Sequence, residues 1–262
     1  MRFKDKNVLI TGASSGIGRE VAYLFAKEGA NLALVARRLD KLEAIKNDLE
    51  DRYKQEFICI KCDVSNKDQV FDMSKQVLDR FKHIDVLVNN AGFAIFDKVI
   101  DTSIKDIEAQ IQTNLLGAIY CIKAFLPIML ERNEGHIVNV ASLAASVAVP
   151  NLASYCASKF GLLGFSQALY HELHNTNVGV TVVSPITVRT DFFSNDSFKD
   201  AKINLRFALD TKTVAKAILR AVNSKRLEIT VPFYARGAVW LVQTFPYLLN
   251  PIIREMFMNM KR

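Results

Sequence analysis

A tyrosine and a lysine lie four residues apart in the second half of the chain, at Tyr155 and Lys159. Four residues make about one turn of an α-helix, so a helix places the phenol and the ammonium on the same face. A tyrosine of ordinary pKa, about 10, transfers protons poorly at neutral pH, but a neighbouring cation favours the phenolate. The pair therefore predicts a tyrosine with a lowered pKa that donates or accepts a proton.

Two more polar residues extend this set. Ser142 directly follows the strand-like run Val138–Ala141, and its hydroxyl can hydrogen-bond a carbonyl oxygen. Asn114 lies within a helical pattern, where asparagine has poor propensity, which favours a held water or a bent backbone. Hydride transfer to a carbonyl creates an alkoxide that needs a hydrogen-bond donor and a proton. Tyr155 and Ser142 meet these two needs.

A glycine-rich segment near the amino terminus predicts a dinucleotide site. It separates an apolar strand pattern from an amphipathic helix. Its residues are Thr11, Gly12, Ala13, Ser14, Ser15, Gly16, Ile17 and Gly18. The three glycines permit, in order, a tight turn, a close approach to a pyrophosphate, and close packing of helix on strand. The helix amino terminus then offers N–H groups to phosphates. A glycine-rich turn without a ligand is the alternative.

Two arginines follow the second apolar run. Arg37 and Arg38 stand about twenty residues beyond the glycines, where an NAD site has an acidic residue for the ribose hydroxyls. A guanidinium cannot accept a hydrogen bond from a 2′-hydroxyl, but it can clamp a 2′-phosphate. Arg37 therefore favours NADP(H), and a solvated surface arginine is the alternative.

Short β-branched runs alternate with longer amphipathic patterns, which predicts seven strands and six helices. The strands are Asn7–Thr11, Asn31–Ala36, Phe57–Lys61, Ile84–Asn89, His136–Ala141, Val178–Ser184 and Leu227–Val231. The helices are Gly16–Glu28, Leu39–Tyr53, Lys67–Phe81, Ile104–Arg132, Leu152–Asn175 and Lys212–Asn223. Several strands are apolar on both faces, as in a parallel sheet covered by helices on each side. No linker or repeat divides residues 1–262, so we expect one α/β domain.

The chain resembles the short-chain dehydrogenase/reductase family over residues 5 to about 190. The motifs are the glycine pattern above, Asn89-Asn90-Ala91-Gly92, Asn114, Ser142 and Tyr155-x-x-x-Lys159. The resemblance implies a Rossmann-like, doubly wound parallel sheet. It also implies that Tyr155 is the catalytic acid/base, that Ser142 orients the substrate and that Asn114 anchors a proton-relay water. Lys159 would also bind the nicotinamide ribose.

The resemblance adds further cofactor contacts. It places Asp63 and Val64 at the adenine, and Asn90, Ala91 and Gly92 along the adenosine ribose. Pro185, the Val188 backbone and the Thr190 hydroxyl would adjoin or hold the nicotinamide carboxamide. The family usually has Pro-Gly after the sixth strand, whereas this chain has Ile186 in place of that glycine. This departure bears on the local backbone shape.

Composition limits the class of partner. The formal net charge is +7, yet the 34 lysines and arginines are scattered, which favours a small anionic ligand over nucleic acid. Four cysteines without a secretory signal indicate thiols in a reducing compartment, so we expect a cytoplasmic protein. His171 and His174 read as surface residues, and no metal is expected. The family tendency implies a homodimer or homotetramer.

The substrate and the carboxyl-terminal part leave alternatives open. Residues 190–210, with four phenylalanines, predict either a substrate lid or a loop that buries aromatics. Val147, Val149, Pro150 and Leu152 favour an apolar pocket wall, and so a hydrophobic ketone, acyl or steroid-like substrate. The hydrophobic extension 234–262 is predicted to pack at a subunit interface or over the cleft, to contact a membrane peripherally, or to be disordered. An NADPH-binding sensor without turnover remains the alternative to an enzyme.

Overall fold

A seven-stranded parallel sheet organises the protein. The structure, a computed structural model, describes residues 1–199, 201, 205–222, 224 and 226–258. The strands are β1 Asn7–Thr11, β2 Asn31–Ala36, β3 Phe57–Lys61, β4 Val86–Asn89, β5 Gly135–Val140, β6 Val178–Pro185 and β7 Glu228–Val231. Their order is β3-β2-β1-β4-β5-β6-β7, and every neighbouring pair is parallel. The predicted Rossmann-like sheet is confirmed.

Helices cover both faces of the sheet. They are α1 Gly16–Lys27, α2 Leu39–Glu50, α3 Lys67–Phe81, α4 Ile104–Ile111, α5 Gly117–Arg132, α6 Ala153–Glu172, α7 Thr211–Ala221, α8 Ala235–Thr244 and α9 Pro246–Met258. Because side chains alternate along a strand, Val8 and Ile10 enter the core that α1, α2 and α7 share. Leu9 faces the opposite core, which α3, α5 and α6 complete.

The long predicted helix from Ile104 to Arg132 is interrupted. A single π-turn, Gln112–Leu116, joins α4 to α5, and the Gly117 N–H donates to the Gln112 carbonyl. The run has the length and hydropathy of a membrane span, with a mean hydropathy of 1.6. However, α5 buries Phe125 and Met129 completely in the core beneath the sheet. Its apolar character is therefore explained by the fold.

Other element boundaries shift by one to three residues. The predicted strand start at Ile84 is wrong because β4 begins at Val86. The predicted helix end at Tyr53 is wrong because α2 ends at Glu50, and Asn223 lies outside the described residues. No helix is predicted after residue 234, yet α8 and α9 lie there.

The amino ends of the central strands carry a cluster of charges. Asp85, just before β4, is 6% exposed, and its carboxylate accepts a hydrogen bond of 2.8 Å from the Asn7 backbone N–H. Lys6 lies 3.2 Å and Arg132 lies 3.5 Å from the same carboxylate. This amino-end cluster ties the starts of β1, β4 and β5 together.

Candidate active site

A cleft of about 640 Å³ opens at the opposite, carboxyl edge of the sheet. It lies where the strand ends meet in a doubly wound fold, which is where such folds bind ligands. Of the predicted site residues, those that line it are Gly12, Ser14, Ser15, Gly16, Ile17, Arg37, Arg38, Asp63, Val64, Asn90, Ala91, Gly92, Ser142, Tyr155, Lys159, Pro185, Val188 and Thr190. Gly18 and Asn114 stand behind this lining.

The glycine loop is tightly packed against the end of β4. Gly12 has a positive φ of 66°, and a Cβ atom there would lie 2.9 Å from the Ala91 Cα. A Cβ atom on Gly18 would lie 2.3 Å from the Gly12 carbonyl oxygen. Neither backbone atom can move aside without opening the loop. Both glycines are therefore required by close packing, as the spacing predicts.

Thr11 and Asn90 hold the glycine loop in place by hydrogen bonds. The Asn90 side-chain amide donates to the Thr11 carbonyl at 3.0 Å and to the Gly12 carbonyl at 3.3 Å. In return, the Thr11 hydroxyl accepts from the backbone N–H groups of Asn90 and Ala91. Sequence reasoning did not assign a role to Thr11. Its position at the last residue of an apolar strand, directly before a glycine, is the signal for it.

The amino terminus of α1 is open to an anion. Ser15 is its N-cap residue, but the Ser15 side chain makes no capping hydrogen bond. Instead, the Arg38 guanidinium donates 2.9 Å hydrogen bonds to the hydroxyls of Ser14 and Ser15. The first-turn N–H groups and the positive end of the helix dipole therefore face the cleft beside a cation.

Arg37 lies beside Asp63 at the same end of the cleft. The Arg37 side chain is 75% exposed, and its Nη1 atom is 4.0 Å from an oxygen of Asp63. The other Asp63 oxygen accepts hydrogen bonds from the backbone and hydroxyl of Ser65. The two arginines thus frame one polar end of the cleft, with Arg38 the more closely held. Glycines, an open helix end and two cations fit the phosphates of a dinucleotide.

At the other end of the cleft, just after the carboxyl end of β5, three side chains come together: Ser142, Tyr155 and Lys159. Tyr155 and Lys159 are 8% and 4% exposed and share one face of α6. The Ser142 hydroxyl lies beside the phenol of Tyr155 and accepts a hydrogen bond of 3.1 Å from the Ala144 N–H. The Lys159 ammonium donates to the Val140 carbonyl at 2.9 Å and lies 5.8 Å from the centre of the Tyr155 ring. The lysine is therefore anchored to the strand that precedes Ser142.

Burial governs the acidity of both groups. It raises the pKa of Tyr155 to about 12, and the neighbouring Ser142, which lowers this pKa, does not cancel the effect of burial. Burial also lowers the pKa of Lys159 to about 8. The prediction that the protein lowers the pKa of this tyrosine is wrong, because the cost of a buried phenolate exceeds the benefit of its polar neighbours. Tyr155 is held in its protonated form.

Asn114 occupies the π-turn, where the backbone departs from regular α-helical hydrogen bonding. Its side chain is almost completely buried and clamps Phe93: its oxygen accepts from the Phe93 N–H and its amide donates to the Phe93 carbonyl, both at 2.9 Å. The amide also donates to the Ser158 hydroxyl at 3.0 Å, and Ser158 donates to the Tyr155 carbonyl. Asn114 thereby links the loop after β4 to the turn that carries Tyr155.

Gln110 is a second clamp that sequence reasoning missed. It lies one turn before Asn114, is 1% exposed, and accepts a hydrogen bond from the Ile95 N–H at 3.1 Å. The available signal is that Gln110 and Asn114 lie four residues apart, which places both amide side chains on one face of the helix. Together the two amides hold residues 93–95 against α4.

The segment after β6 tolerates the missing glycine. Ile186 is not among the residues with positive φ, and its N–H donates to the Val231 carbonyl at 2.9 Å. Val188 forms a parallel bridge with Leu209, and the Thr190 hydroxyl accepts from the Phe192 N–H. The backbone here therefore needs no glycine, and Val188 and Thr190 reach the cleft.

Aromatic side chains close the apolar half of the cleft. Phe192 meets the Tyr155 ring edge-on at 5.6 Å, and Phe198 stacks on Phe96 at 5.5 Å. Within the predicted segment 190–210, Phe192, Phe193 and Phe198 pack in this cluster, whereas Phe207 is 76% exposed. Residues 200 and 202–204 lie outside the described residues. Val149 and Leu152 line the cleft as predicted, and Val147 and Pro150 do not.

Comparisons with known proteins agree with this architecture. The family model for short chain dehydrogenase matches residues 6–200. The chain is 39% identical over 231 residues to a protein of Schizosaccharomyces pombe named NADP-dependent 3-hydroxy acid dehydrogenase, covering 86% of this chain and 89% of that protein. This chain belongs to the short-chain dehydrogenase/reductase family of oxidoreductases.

Two solved structures extend the likeness. A short-chain dehydrogenase/reductase from Burkholderia phymatum in complex with NAD superposes with a TM-score of 0.85 at 28% identity, over 95% of this chain and 96% of that one. A metagenomic short-chain oxidoreductase in complex with NADP has a TM-score of 0.76 at 30% identity, over 88% of this chain and 98% of that one. Both dinucleotides therefore occur among proteins of this shape.

Proposed function

We propose that this protein is an NADP(H)-dependent oxidoreductase that interconverts a carbonyl and an alcohol on a neutral, hydrophobic substrate. The observation that carries this proposal is the convergence of Ser142, Tyr155 and Lys159 beside an apolar pocket, at one end of a cleft whose other end carries Arg37 and Arg38. The proposed roles of these residues follow from their contacts.

A bound nicotinamide supplies a hydride to the carbonyl carbon, or accepts one from the alcohol. The Tyr155 hydroxyl transfers its proton to the oxygen that gains negative charge, and the Ser142 hydroxyl donates a hydrogen bond to the same oxygen. Because Tyr155 stays protonated well above neutral pH, it is suited to the reductive direction. The Lys159 ammonium stabilises the phenolate that remains. Asn114 supports this arrangement by holding Ser158 and Phe93.

The preference for NADP(H) rests on the polar end of the cleft. Arg38 donates to Ser14 and Ser15, so a guanidinium and two hydroxyls are grouped together, and this combination suits a 2′-phosphate. Arg37 adds a second cation, and Asp63 is its neighbour. The name of the fission-yeast relative supports the same cofactor.

The preference for a neutral, hydrophobic substrate rests on the other end. Its wall includes Leu143, Val149, Leu152, Phe192 and Phe193. Among the described lining residues at this end, Lys159 is the cation and it is already bonded to Val140, while Asp191 is acidic. A charged carboxylate substrate would therefore lack a partner there. A ketone, acyl or steroid-like molecule fits this surface.

The test measures oxidation of NADPH and NADH with hydrophobic ketones, acyl thioesters and steroids. We expect turnover with NADPH that Tyr155→Phe reduces about a thousandfold, the range of a lost proton transfer, while cofactor affinity is kept. Arg38→Asp and Arg37→Asp should each lower NADPH affinity, Arg38→Asp by more, about tenfold or greater. NADPH binding without turnover on any substrate would favour a sensor instead.

The protein is also proposed to be cytoplasmic, as its four free cysteines indicate, and to form homodimers or homotetramers, as its family resemblance implies. We further propose that residues 1–262 fold as one domain. Light scattering gives the mass in solution, and a single thermal transition shared by all probes tests the domain assignment.

A further inference from the structure

The last two helices leave apolar side chains exposed. Each of eight large residues between positions 233 and 252 is at least 45% exposed: Phe233, Tyr234, Trp240, Leu241, Phe245, Tyr247, Leu248 and Ile252. We call these residues the tail surface. In α8, Ala235 is the buried residue, and no described side chain of α9 is buried. Soluble monomers rarely expose apolar groups so densely, so we expect another molecule or a membrane to contact this surface.

The pattern within α9 shows that the exposure is not incidental. Leu249 and Ile253 are half-buried, while Tyr247, Leu248 and Ile252 on the remaining surface are exposed. An ordinary surface helix has one apolar stripe and a polar opposite face. In α9, Leu248 and Ile252 widen the stripe of Leu249 and Ile253 beyond what the fold covers, while Asn250 and Arg254 lie on the opposite face. The packing of the chain on itself therefore does not explain the exposed face.

The charges around the tail surface favour an anionic cover. Between residues 232 and 258 the charged residues are Arg236, Arg254 and Glu255. The Arg236 side chain is 65% exposed and lies 3.8 Å from Glu228. If a second copy covered this surface symmetrically, it would bring the same two arginines to it again, and the described carboxylates beside them are Glu255 and Glu228, which already faces Arg236. Phosphate headgroups supply acceptors for both arginines.

The residue types and lengths favour a bilayer contacted in its plane. Trp240, Tyr234 and Tyr247 combine an apolar ring with a polar atom, as side chains at the headgroup level do. The 13 residues of α9 reach about 20 Å and contain Pro251, so α9 is too short to cross an apolar layer of about 30 Å. We propose that α8 and α9 form a membrane-docking surface that lies in the plane of bilayers carrying anionic phospholipids.

The docking surface is connected to the cleft. The Gln243 side chain in α8 donates a hydrogen bond of 3.2 Å to the Ser146 carbonyl. Ser146 follows the turn Leu143–Ala145, whose first two residues line the cleft. Docking is proposed independently of the reaction, and it would bring the apolar end of the cleft near the lipid.

Trp240 makes the test direct because it is the single tryptophan of the chain. The full-length protein is mixed with vesicles of phosphatidylcholine alone or with phosphatidylglycerol, and both emission and co-sedimentation are measured. We expect a blue shift and binding with the anionic vesicles. Tyr247→Ser combined with Leu248→Ser should reduce binding about tenfold or more, since two apolar side chains lose their burial. Arg236→Gln with Arg254→Gln should reduce it about tenfold.

The control replaces exposed apolar residues elsewhere. Val99→Ser with Ile100→Ser alters side chains that are 60% and 88% exposed, and it should leave vesicle binding unchanged. NADPH affinity and circular dichroism verify that each variant is folded. The proposal is overturned if anionic vesicles neither bind nor shift the emission, if neutral vesicles bind equally well, or if both double serine variants bind alike. It is also overturned if Tyr247→Ser with Leu248→Ser dissociates a lipid-free dimer, because a second copy is then the cover.

Discussion

The two ends of the same central strands are built in opposite ways. At the amino ends of β1, β4 and β5, buried Asp85 is surrounded by Lys6, Arg132 and the Asn7 backbone. At the carboxyl ends, glycines and the Asn90 and Asn114 amides hold the loops around an open cleft, whose charged residues, among them Arg37 and Arg38, face the cleft. The comparison teaches that the amino edge is a closed structural network, whereas the carboxyl edge keeps donors and space for a ligand. Changes at the two edges should therefore separate stability from binding.

The largest expected effect is a change at the glycine loop. In Gly18→Ala the new Cβ atom would lie 2.3 Å from the Gly12 carbonyl oxygen, so the loop must open and lose its phosphate contacts. We expect NADPH affinity, measured by fluorescence titration, to fall about a hundredfold or more. Gly164→Ala is the matched control, since nothing lies within 4 Å of a Cβ atom there. Equal affinity in the two variants would contradict the assigned role of the loop.

The next effect belongs to the amino edge. Asp85→Asn keeps the size and an acceptor for the Asn7 N–H, but removes the charge that faces Lys6 and Arg132. Because a buried cluster then loses its carboxylate, we expect the free energy of unfolding to fall by about 3 kcal/mol in urea titrations. NADPH affinity at a temperature where the variant is folded should stay within about twofold. A large loss of NADPH affinity with normal stability would show that the amino edge serves ligand binding and not stability.

The pH dependence of the free energy of unfolding also separates stability from ligand binding. His136 in β5 is 9% exposed, and burial lowers its pKa to about 4. Its neutral form is favoured in the folded protein, so its contribution is complete above the ordinary histidine pKa and is lost as the pH falls from about 6.5 to about 4. We expect this loss to reach about 3 kcal/mol. His136→Gln should remove this component from stability measured against pH. The exposed His171→Gln should retain it, and identical curves for both variants would disprove the assignment.

The smallest effect concerns the aromatic end of the cleft. Phe192→Leu removes the edge-on contact with Tyr155, which is worth about 1 kcal/mol. We expect KM for a hydrophobic substrate to rise about fivefold with little change in NADPH affinity. Phe207→Leu is the control, because Phe207 is 76% exposed and is not among the described residues that line the cleft. A change in NADPH affinity alone would show that Phe192 serves the cofactor end.

The glycine loop was far more predictable from the sequence than the aromatic end of the cleft. Gly12 and Gly18 are fixed by backbone packing, which a spacing of glycines reveals directly. The helix Lys67–Phe81 was also predicted with its observed bounds, since Asn66 caps it with two hydrogen bonds. The contacts of Phe192 and Phe198 depend on loops whose shape follows no period, so their packing against Tyr155 and Phe96 could only be left as an alternative.

Two errors have the same physical origin. The spacing of Tyr155 and Lys159 predicts their shared face but carries no measure of burial, and burial decides the pKa of the tyrosine. Likewise, α8 and α9 were missed because Pro246 and Pro251 interrupt a segment in which apolar residues far outnumber polar ones, so that no clear helical period stands out. Periodicity identifies a helix only where one face is polar.

The π-turn between α4 and α5 has a consequence for how this chain can change in length. Because a π-turn closes its hydrogen bond over five residues instead of four, Gln112–Leu116 accommodates one residue more than an α-turn would. Deleting one residue from this turn would therefore let α4 and α5 run on as one helix with Phe125 and Met129 still in the core, but it would shift the side chains of the turn and break the hold of Asn114 on Phe93. A single-residue insertion or deletion within α5 itself has no such reserve, because each residue turns an α-helix by about 100°.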